Sequence, residues 1–221
     1  MSDNIVSNLI STFDSNPKGA EKTIGLFFGS FNPIHTGHLI LANHFANYTN
    51  LDEVWFVVSP HNPHKKKASL LDENHRLAMV NEAIDDNIKL KASNIEFEMP
   101  KPSYTVDTLA YLKEKHPTYQ FALIMGEDNL RSFHKWKNFE VILEKYPIFI
   151  YPRVYTVQEL EAQSKEENNK LQNHPSIQLI DAPLMKISSS FIRNAIKDKK
   201  DIRYLVSEPV FKYLDEMNFY R

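Results

Sequence analysis

The chain has 221 residues, of which 42% are hydrophobic and 24% are charged, a composition that is ordinary for a globular protein. A formal net charge of −2 argues against non-specific binding to nucleic acid, and the absence of cysteine excludes disulfides and thiolate metal sites. No apolar run approaches the roughly 20 residues of a membrane-spanning helix, and the N-terminus lacks the pattern of a secretory signal. We therefore expect a cytoplasmic protein that uses neither a membrane nor a nucleic acid as partner.

The first 22 residues differ in pattern from the rest of the chain. Ile5, Val6, Leu9, Ile10 and Phe13 recur with helical spacing, which favours a short amphipathic helix packed on the domain or on a partner; a disordered segment is the alternative. We therefore predict an N-terminal extension over 1–22 and a single domain over 23–221.

From residue 23 onward, apolar runs typical of buried strands alternate with amphipathic runs typical of helices. The predicted strands are 23–29, 53–59, one within 89–98, 120–125, 146–151 and a weaker one at 176–181. The predicted helices are 38–49, 72–86 with Asp72 as its cap, 105–116, 188–199 and 209–217, with a solvated helix and loop at 156–173. This alternation predicts an α/β fold: a doubly wound, mostly parallel sheet followed by a small helical C-terminal portion. Ligands of such sheets bind at the carboxyl ends of the strands, so the loops there are where chemistry is expected.

The loop after the first strand has the features of a phosphate site. The chain has five glycines and contains neither a G-x-G-x-x-G motif nor a glycine followed by lysine, which excludes the dehydrogenase fingerprint and the Walker A loop. In GSFNPIHTGH (29–38), Gly29 permits close backbone approach and Gly37 permits tight entry into a helix whose N-terminus attracts anions. His35 and His38 are three residues apart, so both imidazoles can face one phosphate. The alternatives are a turn with two incidental histidines or a two-histidine metal site.

This loop resembles the G-x-F-x-P-x-H-x-G-H signature of the nucleotidylyltransferase superfamily, whose domains are Rossmann-like. Late in the chain, ISSSFIR (187–193) resembles the superfamily's I-S-S-x-x-I-R element, in which serines and a helix N-terminus hold a triphosphate that the arginine neutralises. The resemblance implies that His35, His38 and Arg193 are catalytic. It implies that ATP is bound by Gly29, Ser30, Phe31, His35, His38, Gly126, Asp128, Ile187, Ser188, Ser189 and Arg193.

Three segments between these motifs resemble bacterial nicotinate mononucleotide adenylyltransferases. KPSYTVDTL (101–109) is similar to their P-S-Y-T-x-x-T element, IMGEDNLRSFHKWKN (124–138) to their I-x-G-x-D…W segment, and NPHKKK (62–67) to their P-P-H-K loop. The implied residues of the acceptor site are Lys65, Tyr104, Thr105 and Trp136. The Arg-Pro-Gly that commonly follows the fifth strand of that family is replaced by Tyr151-Pro152-Arg153-Val154, so no adenine contact is assigned to Arg153.

The implied reaction is transfer of AMP from ATP to nicotinate mononucleotide, with Mg²⁺ carried by the ATP. Because the attacking phosphate oxygen is already an anion, catalysis needs positioning and charge stabilisation rather than a general base. Two alternatives stay open: an enzyme with another acceptor, most plausibly nicotinamide mononucleotide, and a non-catalytic nucleotide sensor on the same fold. The sequence does not determine whether the chain forms a homo-oligomer.

Overall fold

The computed structural model describes residues 21–60, 70–154 and 170–221. Its sheet has six strands, Lys22–Gly29 (β1), Glu53–Val58 (β2), Leu90–Ser93 (β3), Tyr119–Gly126 (β4), Ile148–Tyr151 (β5) and Ile177–Leu179 (β6). The strands lie in the order β3-β2-β1-β4-β5-β6 and every neighbouring pair is parallel. The predicted doubly wound α/β fold is therefore confirmed, and β1 begins one residue before the predicted start of the domain.

Seven α-helices of the described residues cover the sheet. They are Thr36–Tyr48 (α1), Glu73–Ile84 (α2), Thr105–Lys115 (α3), Glu127–Ser132 (α4), Phe139–Lys145 (α5), Ser189–Lys197 (α6) and Glu208–Glu216 (α7). As predicted, Asp72 caps its helix: its carboxylate accepts a hydrogen bond from the backbone N–H of Asn74 at 2.9 Å. None of these helices has the length and apolarity that a membrane span requires.

The helices divide between the two faces of the sheet. Buried residues of α1, α2, α6 and α7 form one core with the strands, and buried residues of α3, α4 and α5 form the second. The chain adds β2 and β3 on one side of β1 and then β4, β5 and β6 on the other side. The carboxyl ends of β1 and β4 therefore flank the crevice where such sheets bind ligands. This is the edge at which the sequence placed the chemistry.

Two stretches differ from the prediction. The strand expected within 89–98 ends at Ser93 and is followed by a 3-10 turn over Ile95–Phe97, because the Glu96 carboxylate turns inward to accept a hydrogen bond from Thr108. The helices α4 and α5 were not predicted. Helices of six and seven residues carry too little periodic pattern to be read from sequence and depend on packing against the sheet. The predicted N-terminal helix and most of the predicted segment 156–173 lie outside the described residues.

Candidate active site

A cleft of about 760 Å³ opens at the carboxyl ends of β1, β4 and β5. It brings together residues from both ends of the chain that sequence reasoning assigned to ATP. Those lining it are Gly29, Ser30, Phe31, His35, His38, Asp128, Ile187, Ser188, Ser189 and Arg193. Gly126, the remaining member of that set, caps α4 immediately before Glu127. The structure therefore collects residues that are up to 164 positions apart.

The loop after β1 is shaped by packing against an aromatic ring. A Cβ atom at position 29 would lie 2.7 Å from the Phe31 ring. The glycine is therefore needed to make room for this ring, and not only for a ligand. Phe31 is 2% exposed, has a left-handed backbone with φ of 44°, and packs edge-on against Phe27 and Phe56. A buried aromatic anchor fixes the course of the loop.

The two histidines of the motif lie in contact at the start of α1. Their rings are stacked with centroids 3.7 Å apart, and the backbone N–H of His35 donates to Nδ1 of His38 at 3.3 Å. Because this nitrogen accepts, a neutral His38 carries its proton on Nε2, which makes Nε2 a donor. His35 is 5% exposed, and burial lowers its pKa to about 4, so it is neutral at pH 7.

The late serine-rich motif is joined to the first loop by hydrogen bonds to backbone carbonyls. Ser188 caps α6 by accepting from the N–H of Phe191, and Ser189 Oγ donates to the carbonyl of Pro33 at 2.9 Å. The Arg193 guanidinium donates to the carbonyl of Asn32 at 2.7 Å. These contacts hold the arginine at the cleft wall.

Asp128 and Arg153 form an ion pair at the cleft, with Nη1 and Oδ2 2.5 Å apart. Both side chains are about 40–50% exposed, and exposed pairs of this kind contribute only about 0–1 kcal/mol to stability. The pair therefore sets charge and shape at the cleft rather than holding the fold. Sequence reasoning left the contact of Arg153 unassigned.

Three of the residues predicted to bind the acceptor, Tyr104, Thr105 and Trp136, lie outside the described cleft lining. Tyr104 precedes α3, Thr105 is its first residue, and Trp136 ends a 3-10 turn over Phe133–Lys135. Lys137 brings these segments together: its Nζ lies 4.7 Å from the centre of the Tyr104 ring and forms an ion pair with Asp107 in the first turn of α3. The predicted Lys65 lies outside the described residues.

A buried carboxylate that the sequence did not indicate lies behind this acceptor segment. Glu96 is 3% exposed, and Oε1 accepts a hydrogen bond from Thr108 at 2.8 Å, while Ser103 and Ser59 also hydrogen-bond to it. Burial raises the pKa of Glu96 despite these bonds. No sequence pattern indicates that Glu96 is buried, because a lone glutamate after a strand is usually exposed.

The described part of the cleft holds few carboxylate side chains. Across the described ranges, no group of three or more histidine, aspartate or glutamate side chains is placed to hold a metal ion. Asp128 is the one carboxylate among the described lining residues, and it is paired with Arg153.

Comparisons with known proteins agree on one family. A cytidylyltransferase-like family model matches residues 26–195. A probable nicotinate-nucleotide adenylyltransferase of Christiangramia forsetii is 57% identical over 200 residues, covering 90% of this chain and 99% of the relative. The protein of the same name from Flavobacterium johnsoniae is 54% identical over 198 residues, covering 90% and 98%.

The solved structures that match share the fold. Plasmodium falciparum nicotinic acid mononucleotide adenylyltransferase complexed with NaAD superposes with a TM-score of 0.71 at 23% identity, covering 90% of this chain and 97% of that one. A nicotinate-nucleotide adenylyltransferase structure from Vibrio parahaemolyticus, described there as putative, gives a TM-score of 0.64 at 22% identity, covering 90% and 96%.

Proposed function

The chain belongs to the cytidylyltransferase-like family and, within it, to the nicotinate-nucleotide adenylyltransferases, and we propose that its cleft binds ATP for the transfer. It is a nucleotidyltransferase that transfers AMP from ATP to nicotinate mononucleotide, giving nicotinate adenine dinucleotide and pyrophosphate in NAD biosynthesis. The observation that supports this most is the single cleft that joins both nucleotide motifs at the carboxyl ends of β1 and β4.

The proposed reaction is one in-line displacement. A phosphate oxygen of nicotinate mononucleotide attacks the α-phosphorus of ATP, a new P–O bond forms, and the bond to the β-phosphate oxygen breaks with its electron pair leaving on pyrophosphate. The nucleophile carries its own charge, so no proton has to be removed. The protein supplies positioning and donors for the charge that spreads over the phosphoryl oxygens.

We propose that His38 and Arg193 donate hydrogen bonds to the phosphate oxygens. His38 presents Nε2–H, since its Nδ1 is taken by the backbone N–H of His35. The neutral ring of His35 lies against it and keeps it in place. Arg193, held by the Asn32 carbonyl, faces the triphosphate and the departing pyrophosphate. Gly29, Ser30, Phe31, Gly126, Asp128, Ile187, Ser188 and Ser189 complete the proposed ATP site.

For the acceptor, we propose the region around the start of α3. The backbone amides at Tyr104 and Thr105 and the Thr105 hydroxyl would bind the nicotinate carboxylate, because the N-terminus of a helix attracts anions. Trp136 would stack on the pyridine ring, and Lys65 would hold the acceptor phosphate. Mg²⁺ carried on the triphosphate would neutralise part of its charge, and the cytoplasm is the proposed location.

The test is a transfer assay with purified protein, Mg-ATP and either nicotinate or nicotinamide mononucleotide, following pyrophosphate release. We expect a preference in kcat/KM for the acid of at least about tenfold, or roughly 1.4 kcal/mol. Equal efficiency with both acceptors would show that the carboxylate is not read, and would favour the broader acceptor range. ATP binding without pyrophosphate release from either acceptor would favour the nucleotide sensor.

A further inference from the structure

Arg76 is a buried cation that the proposed chemistry does not use. It lies on α2, is 0% exposed, and burial lowers its pKa. Among the described residues it has no carboxylate partner within ion-pair distance. Burying an unpaired charge costs several kcal/mol unless hydrogen bonds compensate for the lost solvation. Buried Arg76 must therefore have other hydrogen-bond acceptors.

The acceptors of Arg76 are backbone carbonyls of loop residues. Nη1 donates to Ser30 at 2.6 Å and to Ser59 at 2.7 Å, Nη2 donates to Pro60 at 3.0 Å, and Nε donates to Leu71 at 2.9 Å. The planar guanidinium thus holds the loop after β1 against the end of β2 and the entry to α2. Lysine has neither the shape nor the donors to do this.

A second side chain reaches the same loop from the C-terminus. The hydroxyl of Tyr220, the penultimate residue, donates to Asn32 Oδ1 at 2.5 Å, and the N–H of Leu71 donates to the same oxygen at 3.2 Å. Burial raises the pKa of Tyr220, which keeps the hydroxyl a neutral donor. The tail is anchored by Phe219, whose ring packs 4.9 Å from that of His75 on α2.

Asn32 connects this tail to the arginine of the cleft. Its side chain accepts from Tyr220, and its backbone carbonyl accepts from Arg193 at 2.7 Å. From this chain of contacts we propose that Tyr220 and Arg76 are positioning residues for ATP. They fix the backbone of Ser30–Asn32, and through the Asn32 carbonyl they fix the guanidinium of Arg193. The inference rests on the proposed function in taking ATP as the ligand of the cleft.

Tyr220→Phe tests the tail with a matched control. Tyr213→Phe makes the same chemical change on α7, where the hydroxyl hydrogen-bonds to His75 Nδ1 at 2.9 Å and does not reach the loop. One hydrogen bond is worth about 0.5–1.5 kcal/mol, so Tyr220→Phe should weaken Mg-ATP binding and kcat/KM for ATP by about 2- to 13-fold. Tyr213→Phe should stay within about twofold. Equal effects of the two variants would overturn the proposal.

A double-mutant cycle separates positioning from a general loss of stability. If Tyr220 acts through Asn32 on Arg193, its replacement should cost much less in an Arg193→Lys background than in the wild type. Additive losses would rule out this route. Calorimetry measures Mg-ATP binding without turnover, so this inference can be tested even in a protein that does not transfer AMP. Wild-type protein that binds ATP without transferring AMP would refute only the proposed function.

Arg76→Lys tests the hydrogen bonds of Arg76 to the loop carbonyls, with Met79→Ala as its control. Met79 is 0% exposed on the same helix, and its truncation should lower the melting temperature without touching the loop. We expect Arg76→Lys to lower kcat and raise KM for ATP together, by at least about tenfold in kcat/KM, or roughly 1.4 kcal/mol. Folded Met79→Ala protein should keep wild-type kinetics within about threefold, a difference under roughly 1 kcal/mol. Arg76→Lys protein that loses stability but keeps wild-type kinetics would overturn the role.

Discussion

The proposed ATP cleft and the proposed acceptor region are built in different ways. Around the cleft, side chains reach backbone carbonyls of segments distant in the chain, as Arg193 reaches Asn32 and Ser189 reaches Pro33. Around the acceptor region the contacting side chains are more exposed: Tyr104 is 41% exposed, and Lys137 lies over its ring. The cleft side chains are held by hydrogen bonds within the folded chain, whereas the proposed acceptor region presents partly exposed side chains.

This difference separates two kinds of expected defect. A group held rigidly at the cleft contributes to charge stabilisation in the transition state, so its loss should lower kcat. A half-exposed ring contributes to binding of the ground state and the transition state alike, so its loss should raise KM.

The largest effect is expected from His38→Ala. Removing one preorganised donor to the developing charge typically costs about 100- to 1,000-fold in kcat. The control is His44→Ala on the same helix, where the ring stacks on Tyr48 outside the cleft. Steady-state kinetics with circular dichroism would decide, and a folded His38→Ala protein within threefold of wild type would refute the assignment.

His35 should make stability depend on pH. Its pKa is about 4 when folded, against 6.5 for an unperturbed histidine, so both states are neutral above pH 6.5. As the pH falls from 6.5 to 4, only the unfolded state takes up the proton, and about 3 kcal/mol of stability is lost.

Urea unfolding between pH 4 and 7 measures this loss in wild type and in His35→Gln. The variant should lose less stability across that range than the wild type does, whereas His134→Gln, which changes an exposed histidine, should follow the wild type. An unchanged acid slope in His35→Gln would contradict the buried, neutral imidazole.

Trp136→Ala probes the acceptor region. Stacking of an aromatic ring on a base is worth about 1–3 kcal/mol, and we expect KM for both mononucleotides to rise correspondingly, with kcat changing little. Trp136→Phe keeps a flat face and should retain most of the affinity. If kcat falls instead while KM is unchanged, Trp136 belongs with the preorganised half and the contrast fails.

The smallest effect is expected from Arg193→Lys. The charge is kept but the planar fork is lost, so kcat/KM for ATP should fall by about tenfold, or roughly 1.4 kcal/mol. Arg203→Lys, at a residue that stacks over Phe211 away from the cleft lining, serves as the control. Full activity in Arg193→Lys would show that only the positive charge of Arg193 is needed.

Local pattern in the sequence determined the framework of this protein. Continuous apolar runs identified β1, β2, β4 and β5, because strands buried on both faces of a parallel sheet carry apolar side chains at nearly every position. The motifs at 29–38 and 187–193 supplied nine of the proposed ATP residues, and all nine line one cleft. These features could be read because each depends on neighbours within one segment.

Tertiary structure alone decided what surrounds that framework. Glu96 and Tyr220 look like ordinary surface residues in the sequence, and nothing local shows that Arg76 is buried. All three are nevertheless largely buried, with polar atoms hydrogen-bonded to distant segments. The short helices α4 and α5 also depend on packing rather than on their own periodicity. A buried polar group is stable only where the folded chain supplies its hydrogen-bond partners, and no local pattern records where those partners lie.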